Sequence, residues 1–343
     1  MTLPSVTPVD TAAAPALRAT IDGKAKPLGA LGRIETLAVH LGLIADGAQP
    51  AYDKALLLVF AGDHGLTAEG VSAYPASVTQ AMVATFLAGK ASANAFARAV
   101  GADLKVVDAG VDAELPAHPD LLDRKVRHGT RNAAVEPALT ADEVSLALVR
   151  GAQIAVDAAR EGYEVLALGE MGIGNTASAA LIMHRLAGVP LDQCVGLGAG
   201  HDAEGLARKR AAIERAAARS DATKPREVLA EFGGLEIAMI AGAVIGAASA
   251  RIPVLVDGFI VSAAALVAIE LVPEVADYCV FCHRSAEQGH ALMLRMLEVE
   301  PLLTLDLRLG EGTGALLALP LVRAASRLLS DVASLDDVLS RRL

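Results

Sequence analysis

"LALGEMGIGNTASAAL", residues 166–181, decides how this chain is read. A short apolar run enters Gly169-Glu170-Met171-Gly172-Ile173-Gly174-Asn175-Thr176 and then turns Ala-rich, with a helical pattern. Glycines ahead of a helix N-terminus let backbone N–H groups approach a phosphate, and the helix dipole favours the anion. Residues 172–177 also satisfy G-x-G-x-x-A, the dinucleotide fingerprint. The acid that should close a later strand is missing, because Asp192 precedes its apolar run. A plain structural turn is the alternative reading.

The same strand-to-turn transition recurs along the chain. "ALLLVFAGDHG" (55–65), "DLKVVDAGVD" (103–112), "IPVLVDGFI" (252–260) and "DYCVFCHRS" (277–285) are apolar runs ending in glycine or a polar residue. Their lack of strict alternation suits strands buried on both faces. Ala-rich helical patterns at 76–100, 141–161, 176–188, 203–219 and 235–250 lie between them. Alternating strands and helices predict an α/β fold, a mostly parallel sheet with helices on both faces. Ligands in such sheets sit beyond the carboxyl ends of the strands, where these glycines and acids fall. Both chain ends read as helical, including the amphipathic "LGRIETLAVHLGLIA" and the capped-looking "SLDDVLSRRL". Residues 1–48 and 313–343 are therefore expected to form a small helical domain beside an α/β body over 49–312.

Composition excludes several classes. The 343 residues are 53% hydrophobic and 20% charged, enough for a buried core. Net charge is -10, tryptophan is absent and aromatics are 3%, which argues against a nucleic-acid binder. The basic run "ARKRAAIER" (207–215) reads as a helix face, with Lys209 placed to fold back toward a bound anion. In "VGLGAGHDAEGLARKR" (195–210) a strand-like run and glycine turn lead to Asp202 or Glu204 opening that helix. "CVFC" (279–282) has no second cysteine pair, and residues three apart on a strand face opposite ways, so core packing is expected rather than a metal site. The N-terminus shows no secretory pattern, and the apolar region 235–271 is interrupted by Arg251, Pro253 and Asp257. A cytoplasmic protein without a membrane span is expected. "FLAGKAS" (86–92) has Ala84 where a P-loop needs glycine, and "VVDAGVD" (106–112) lacks the paired acids and Thr-Gly of pyrophosphate-activated phosphoribosyltransferases.

"LRLGEGTGALL" (307–317) poses a separate problem, a single carboxylate, Glu311, between two glycines in an apolar run. An unpaired buried carboxylate is costly, so Glu311 must sit at a cleft edge, be paired, or be pushed toward neutrality. Ser72, Tyr74 and Gln80, in "AGDHGLTAEGVSAYPASVTQAM" (61–82), could offer hydrogen bonds and a ring face to a flat ligand. His64 alone reads first as a structural histidine.

"KPLGALGRIE" (26–35), "AGDHG…GVSAYP…VTQAM", "GEMGIGNT", "LARKR", "VDGFI", "HRSAEQGH" (283–290) and "LRLGEGTGA" occur together in this order. The set resembles the nicotinate-nucleotide:5,6-dimethylbenzimidazole phosphoribosyltransferase family of cobalamin lower-ligand activation, over about residues 20–320. The resemblance implies a Rossmann-like domain, a smaller helical domain from both ends, a homodimer, and no cofactor or metal. It implies transfer of phosphoribose from nicotinate mononucleotide to a benzimidazole-type base, with release of nicotinate and inversion at the anomeric carbon. By motif it makes Glu311 the general base and Glu170 the second active-site carboxylate. Ser72, Tyr74, Gln80, Met171 and Leu309 fall on the base pocket. Gly172, Gly174, Asn175, Lys209, Asp257 and Ser285 fall on the phosphate and ribose region. The family's second threonine after "GIGN" is Ala177 here. Alternatives are a transferase or nucleosidase for another base, a non-catalytic nucleotide-binding partner subunit, and an NAD-dependent dehydrogenase resting on G-x-G-x-x-A alone. The preferred base is left open.

Overall fold

The computed structural model describes residues 2–196 and 202–342. Six strands are found among them: β1 (Ala55–Gly62), β2 (Ala102–Gly110), β3 (Leu121–Asp123), β4 (Val165–Met171), β5 (Val254–Val256) and β6 (Cys279–Phe281). They form one sheet in the order β3-β2-β1-β4-β5-β6, every neighbouring pair parallel. This is the Rossmann-like doubly wound order, in which chain direction across the sheet reverses between β1 and β4. The register sets Phe60 beside Glu170 and Ala61 beside Met171, so both strands end at that switch point.

Helices α1 (Ala14–Asp22) and α2 (Arg33–Ala45) precede the sheet, and α3 (Ser77–Leu87) and α4 (Ser92–Val100) follow β1. After β3 comes α5 (Ala141–Arg160). Between β4 and β5 lie α6 (Asn175–Ala187), α7 (Leu191–Cys194), α8 (Ala203–Arg219), α9 (Pro225–Phe232) and α10 (Leu235–Ser249). The chain continues with α11 (Phe259–Leu271), α12 (His290–Met296), α13 (Thr313–Ser330) and α14 (Leu335–Leu339).

Strand periodicity divides the core in two. Leu56, Leu58 and Phe60 join the layer containing α5, α6, α10 and α11. Ala55, Leu57, Val59 and Ala61 join the layer of α2, α3, α4 and α13. Cys279 belongs to the first layer and Cys282 to the second, each as a free buried thiol. The small-residue composition has a direct use where α10 crosses α5, since a Cβ on Gly242 would lie 2.0 Å from the Leu148 carbonyl oxygen. Those helices meet backbone to backbone.

Three sequence expectations change. The pattern at 76–100 is two helices, broken where Gly89 adopts φ +71°. Strand β3 has only three residues and no apolar run to announce it. In the 195–210 stretch, Val195 and Gly196 carry no strand, and residues 197–201 lie outside the described ones. Asp202, rather than Glu204, opens α8, accepting from the Gly205 amide at 2.8 Å. Both chain ends pack on one sheet face, α2 against α13, and an antiparallel bridge joins Lys24 to Ser334. No helix among the described residues is long and apolar enough to cross a membrane.

Candidate active site

A cavity of about 380 Å³ opens at the carboxyl edge of the sheet. Five chain segments wall it. The end of β4 and the start of α6 give Glu170, Met171, Gly172 and Asn175; the start of α11 gives Gly258 and Phe259. The stretch after β6 gives His283, Ser285 and Glu287, and the loop before α13 gives Arg308 to Glu311. Tyr74, from the β1–α3 connection, and Val78 and Met82, on α3, supply an apolar wall. The lining is mainly apolar with a few convergent polar groups, the usual make-up of a small-molecule site.

Of the residues singled out from sequence, Glu311, Glu170, Tyr74, Met171, Leu309, Gly172, Asn175 and Ser285 line this cavity. Gly174, Ser72, Gln80, Lys209 and Asp257 do not. Gly174 is the left-handed N-cap of α6, at φ +95°. Ser72 accepts from the Tyr74 amide at 3.1 Å and so shapes the loop that presents that ring. Gln80 is exposed on α3, the helix whose Val78 and Met82 line the cavity. Lys209 is buried, and its ammonium donates to the Thr176 hydroxyl at 2.9 Å and the Gly196 carbonyl at 3.2 Å. Burial lowers its pKa to about 8, with Glu287 opposing. The basic face of α8 is thus split, with Arg208 exposed beside Glu204 and Lys209 turned inward onto a residue of the cavity wall.

Asp257 follows β5 and is fully engaged. Its carboxylate accepts from the Gly312 amide at 3.2 Å and the Ala315 amide at 3.0 Å, capping α13, and lies 3.4 Å from His283 Nε2. It anchors the loop that carries Glu311.

Glu311 resolves into a specific arrangement. Gly310, Glu311 and Gly312 have φ of +84°, +62° and +80°, three left-handed residues in succession. For glutamate this conformation is strained, a condition that clusters at functional sites. Glycine at 310 is required twice over, since a Cβ there would lie 2.2 Å from Glu170 Oε1. The Glu311 side chain is buried, and its Oε2 accepts from the Ala93 amide in the first turn of α4 at 3.1 Å. Burial raises its pKa, the Ala93 hydrogen bond opposes this, and the Asp257 charge adds to it.

Glu170 is pushed further. Burial first, then the charges of Asp257 and Glu236, raise its pKa to about 8; a hydrogen bond from the Asn175 amide opposes and Glu311 adds. Near neutral pH Glu170 therefore holds its proton more readily than an ordinary carboxylate, and Glu311, steadied by the Ala93 amide, is the less perturbed of the pair. A protonated Glu170 exerts no charge, and the charged neighbour acting on Glu311 is Asp257.

The glycine turn uses part of its own hydrogen-bonding capacity internally. Ile173 donates its amide to Thr79 Oγ1 at 3.1 Å, Asn175 to the Gly172 carbonyl at 3.1 Å, and Ala177 to the Gly174 carbonyl at 3.0 Å. Three of its amides are engaged within the protein. His64 is buried, with Nε2 2.6 Å from Glu236 and Nδ1 3.0 Å from Ser178. Sequence reasoning did not single out His283, Glu287 and Phe259, although "HRSAEQGH" and "VDGFI" contained them. His290 closes the first of these two stretches. Its Nδ1 accepts from the Ser285 amide at 2.9 Å, its Nε2 meets Ser262 at 3.0 Å, and burial lowers its pKa to about 3, so it is a neutral strut.

A Rossmann-like sheet with two unlike carboxylates in a cavity beside its switch point defines an α/β enzyme of the nucleotide-handling class. Residues 6–338 match the family model described as "Phosphoribosyltransferase" (DBI_PRT), and the chain belongs to that family. Its relatives include the nicotinate-nucleotide–dimethylbenzimidazole phosphoribosyltransferase of Cupriavidus necator, 52% identical over 335 residues, 97% of each chain. The protein of the same name from Ralstonia nicotianae is 54% identical over 328 residues, 95% of this chain and 93% of the other. The crystal structure of CobT from Thermus thermophilus superposes with a TM-score of 0.92 at 45% identity, covering 95% of this chain and 98% of that one.

Proposed function

We propose that this phosphoribosyltransferase moves phosphoribose from nicotinate mononucleotide to 5,6-dimethylbenzimidazole in cobalamin biosynthesis. The products are α-ribazole 5′-phosphate and nicotinate, with inversion at the anomeric carbon. Near-full-length relatives named for these two substrates support the choice of substrates. The observation that carries the mechanism is that two buried carboxylates in unlike surroundings, Glu170 and Glu311, line one cavity.

Nicotinate in the mononucleotide is an N-glycosylated pyridinium. Breaking its C–N bond returns the electron pair to the ring nitrogen and cancels a positive charge, so the leaving group needs no acid. One ring nitrogen of the benzimidazole forms the new bond to the anomeric carbon, and the proton on the other nitrogen passes to Glu311. A carboxylate with an ordinary pKa near about 4 is a weak base for this proton, and the upward shift at Glu311 brings it closer to task. Neutral Glu170 can donate a hydrogen bond without competing for the azole proton, a division of roles set by environment.

The remaining assignments belong to the same proposal. Tyr74, Met171 and Leu309, with Ser72 and Gln80 on the flanking stretch, serve the base. Gly172, Gly174, Asn175, Lys209, Asp257 and Ser285 serve the nucleotide end, Lys209 and Asp257 by holding Thr176 and the Glu311 loop. The chain ends, 1–48 and 313–343, form a helical unit beside the 49–312 body. The protein works as a cytoplasmic homodimer, as the family resemblance implies. Sedimentation velocity tests the dimer. A product assay offering nicotinate mononucleotide with a panel of azoles and phenols, read by mass spectrometry, tests the reaction. Ribazole phosphate formed from dimethylbenzimidazole is expected; loss of nicotinate to water alone would make the protein a nucleosidase.

A further inference from the structure

Behind the turn 172–175 lies a second buried polar cluster that the proposed chemistry does not use. Glu236, in the first turn of α10, is completely buried, with one carboxylate oxygen 2.6 Å from His64 Nε2. Its other oxygen has no hydrogen-bond partner among the described residues. His64, just past β1, reaches Ser178 in the first turn of α6 through its other ring nitrogen. Burial disfavours a charged His64, yet the charge and hydrogen bond of Glu236, with Asp63 adding, raise its pKa. A buried ion pair with an unsatisfied oxygen is weak support for stability, because desolvation offsets much of the attraction. Another role is the better account.

We propose that His64 and Glu236 are positioning residues of the candidate site, holding the Gly172–Asn175 turn against the end of β1 and acting through it on Glu170. Neither lines the cavity. Their reach is set by packing. A Cβ on Gly172 would lie 2.4 Å from the Gly62 carbonyl oxygen and 3.5 Å from a Glu236 carboxylate oxygen, and one on Gly174 would lie 3.4 Å from His64 Cβ, so the turn is packed on the end of β1 and beside the pair. Ser178, tied to His64, is in the same helix turn as Asn175, whose amide holds Glu170. The pair thus links the ends of β1 and β4 and the starts of α6 and α10, the four segments meeting at the switch point.

A second, electrostatic route runs alongside. The groups facing Glu170 are Asp257 from the end of β5, Glu236 from α10, Glu311 from the loop before α13, and Asn175 from α6. Those facing His64 are Glu236, Asp63 and Ser178. Glu236 therefore favours the proton on Glu170, and His64, whose own proton affinity Glu236 raises, is placed to temper that influence.

Two full-length variants pull in opposite directions. Glu236→Gln keeps the shape and removes the carboxylate; His64→Gln removes the imidazole and leaves Glu236. The readout is carboxyl ¹³C NMR titration of Glu170 without substrate, its signal assigned with Glu170→Gln, followed by kcat and KM against pH. The Glu170 titration is expected to move to lower pH in Glu236→Gln and to higher pH in His64→Gln. In both, kcat is expected to fall roughly tenfold to a hundredfold as the turn loosens, with KM for dimethylbenzimidazole nearly unchanged. Unmoved Glu170 titration with full kcat, or a lowered melting temperature alone, overturns the proposal. If one variant fails to fold, the shift in the other decides. The kinetic arm rests on the phosphoribosyl-transfer reading, while the substrate-free titration does not, so failure of that reading is seen separately.

Discussion

The end of β4 and the loop before α13 each bring one glutamate to the same cavity, and they treat it oppositely. Glu170 sits in regular strand among acids and an amide, and its pKa is raised to about 8. Glu311 sits on strained left-handed backbone, but a backbone N–H at the start of α4 steadies its charged form. Identical side chains in one cavity thus acquire different proton affinities. Burial raises both; the hydrogen-bond donor and the number of nearby charges separate them.

The strongest way to break this comparison is Glu311→Gln. Loss of a general base is expected to lower kcat by about 10²- to 10⁴-fold while both substrates bind as before by calorimetry. Near-normal turnover would remove Glu311 from the chemistry. Gly310→Ala tests the contact between the two regions. The added Cβ meets Glu170 and the left-handed φ disfavours alanine, so a loss of about 1–3 kcal/mol in chemical denaturation is expected. Unchanged stability would mean that the two segments do not press on each other.

The mildest change sharpens the comparison most. Glu170→Gln preserves a neutral donor, so kcat near neutral pH is expected to stay within about tenfold of wild type. Its activity should no longer fall as pH passes about 8, where wild-type Glu170 loses its proton. Stability carries the same signature. A folded pKa raised above the unfolded value gives stability that is fully present below the unfolded pKa and is lost as pH rises through the folded one. Wild type should therefore weaken from about pH 4.5 to about pH 8 relative to Glu170→Gln, as read from melting curves. Parallel curves would show that Glu170 is ionised across that range.

Much of this was open to reading in the chain itself. Apolar runs ending in glycine or acid, with Ala-rich helical stretches between them, dictate a parallel sheet covered on both faces, because strands buried twice have no polar side. The ordered blocks around Glu170 and Glu311 carried the family resemblance, and with it the two carboxylates. The sequence also placed Cys279 and Cys282 on opposite faces by strand period alone. Strand order, by contrast, depends on which helices cover which face, and three-residue β3 leaves no periodic trace. Whether the amides of the 172–177 turn are free or engaged depends on Thr79 and on the turn's own carbonyls, none of which the motif specifies. The burial of Lys209 beside an exposed Arg208 depends on what α8 packs against. Above all, only the folded chain sets Asp257 and Glu236 beside Glu170 and the Ala93 amide beside Glu311. Proton affinity is fixed by neighbours in space and by exclusion of water, and these come from segments far apart in sequence.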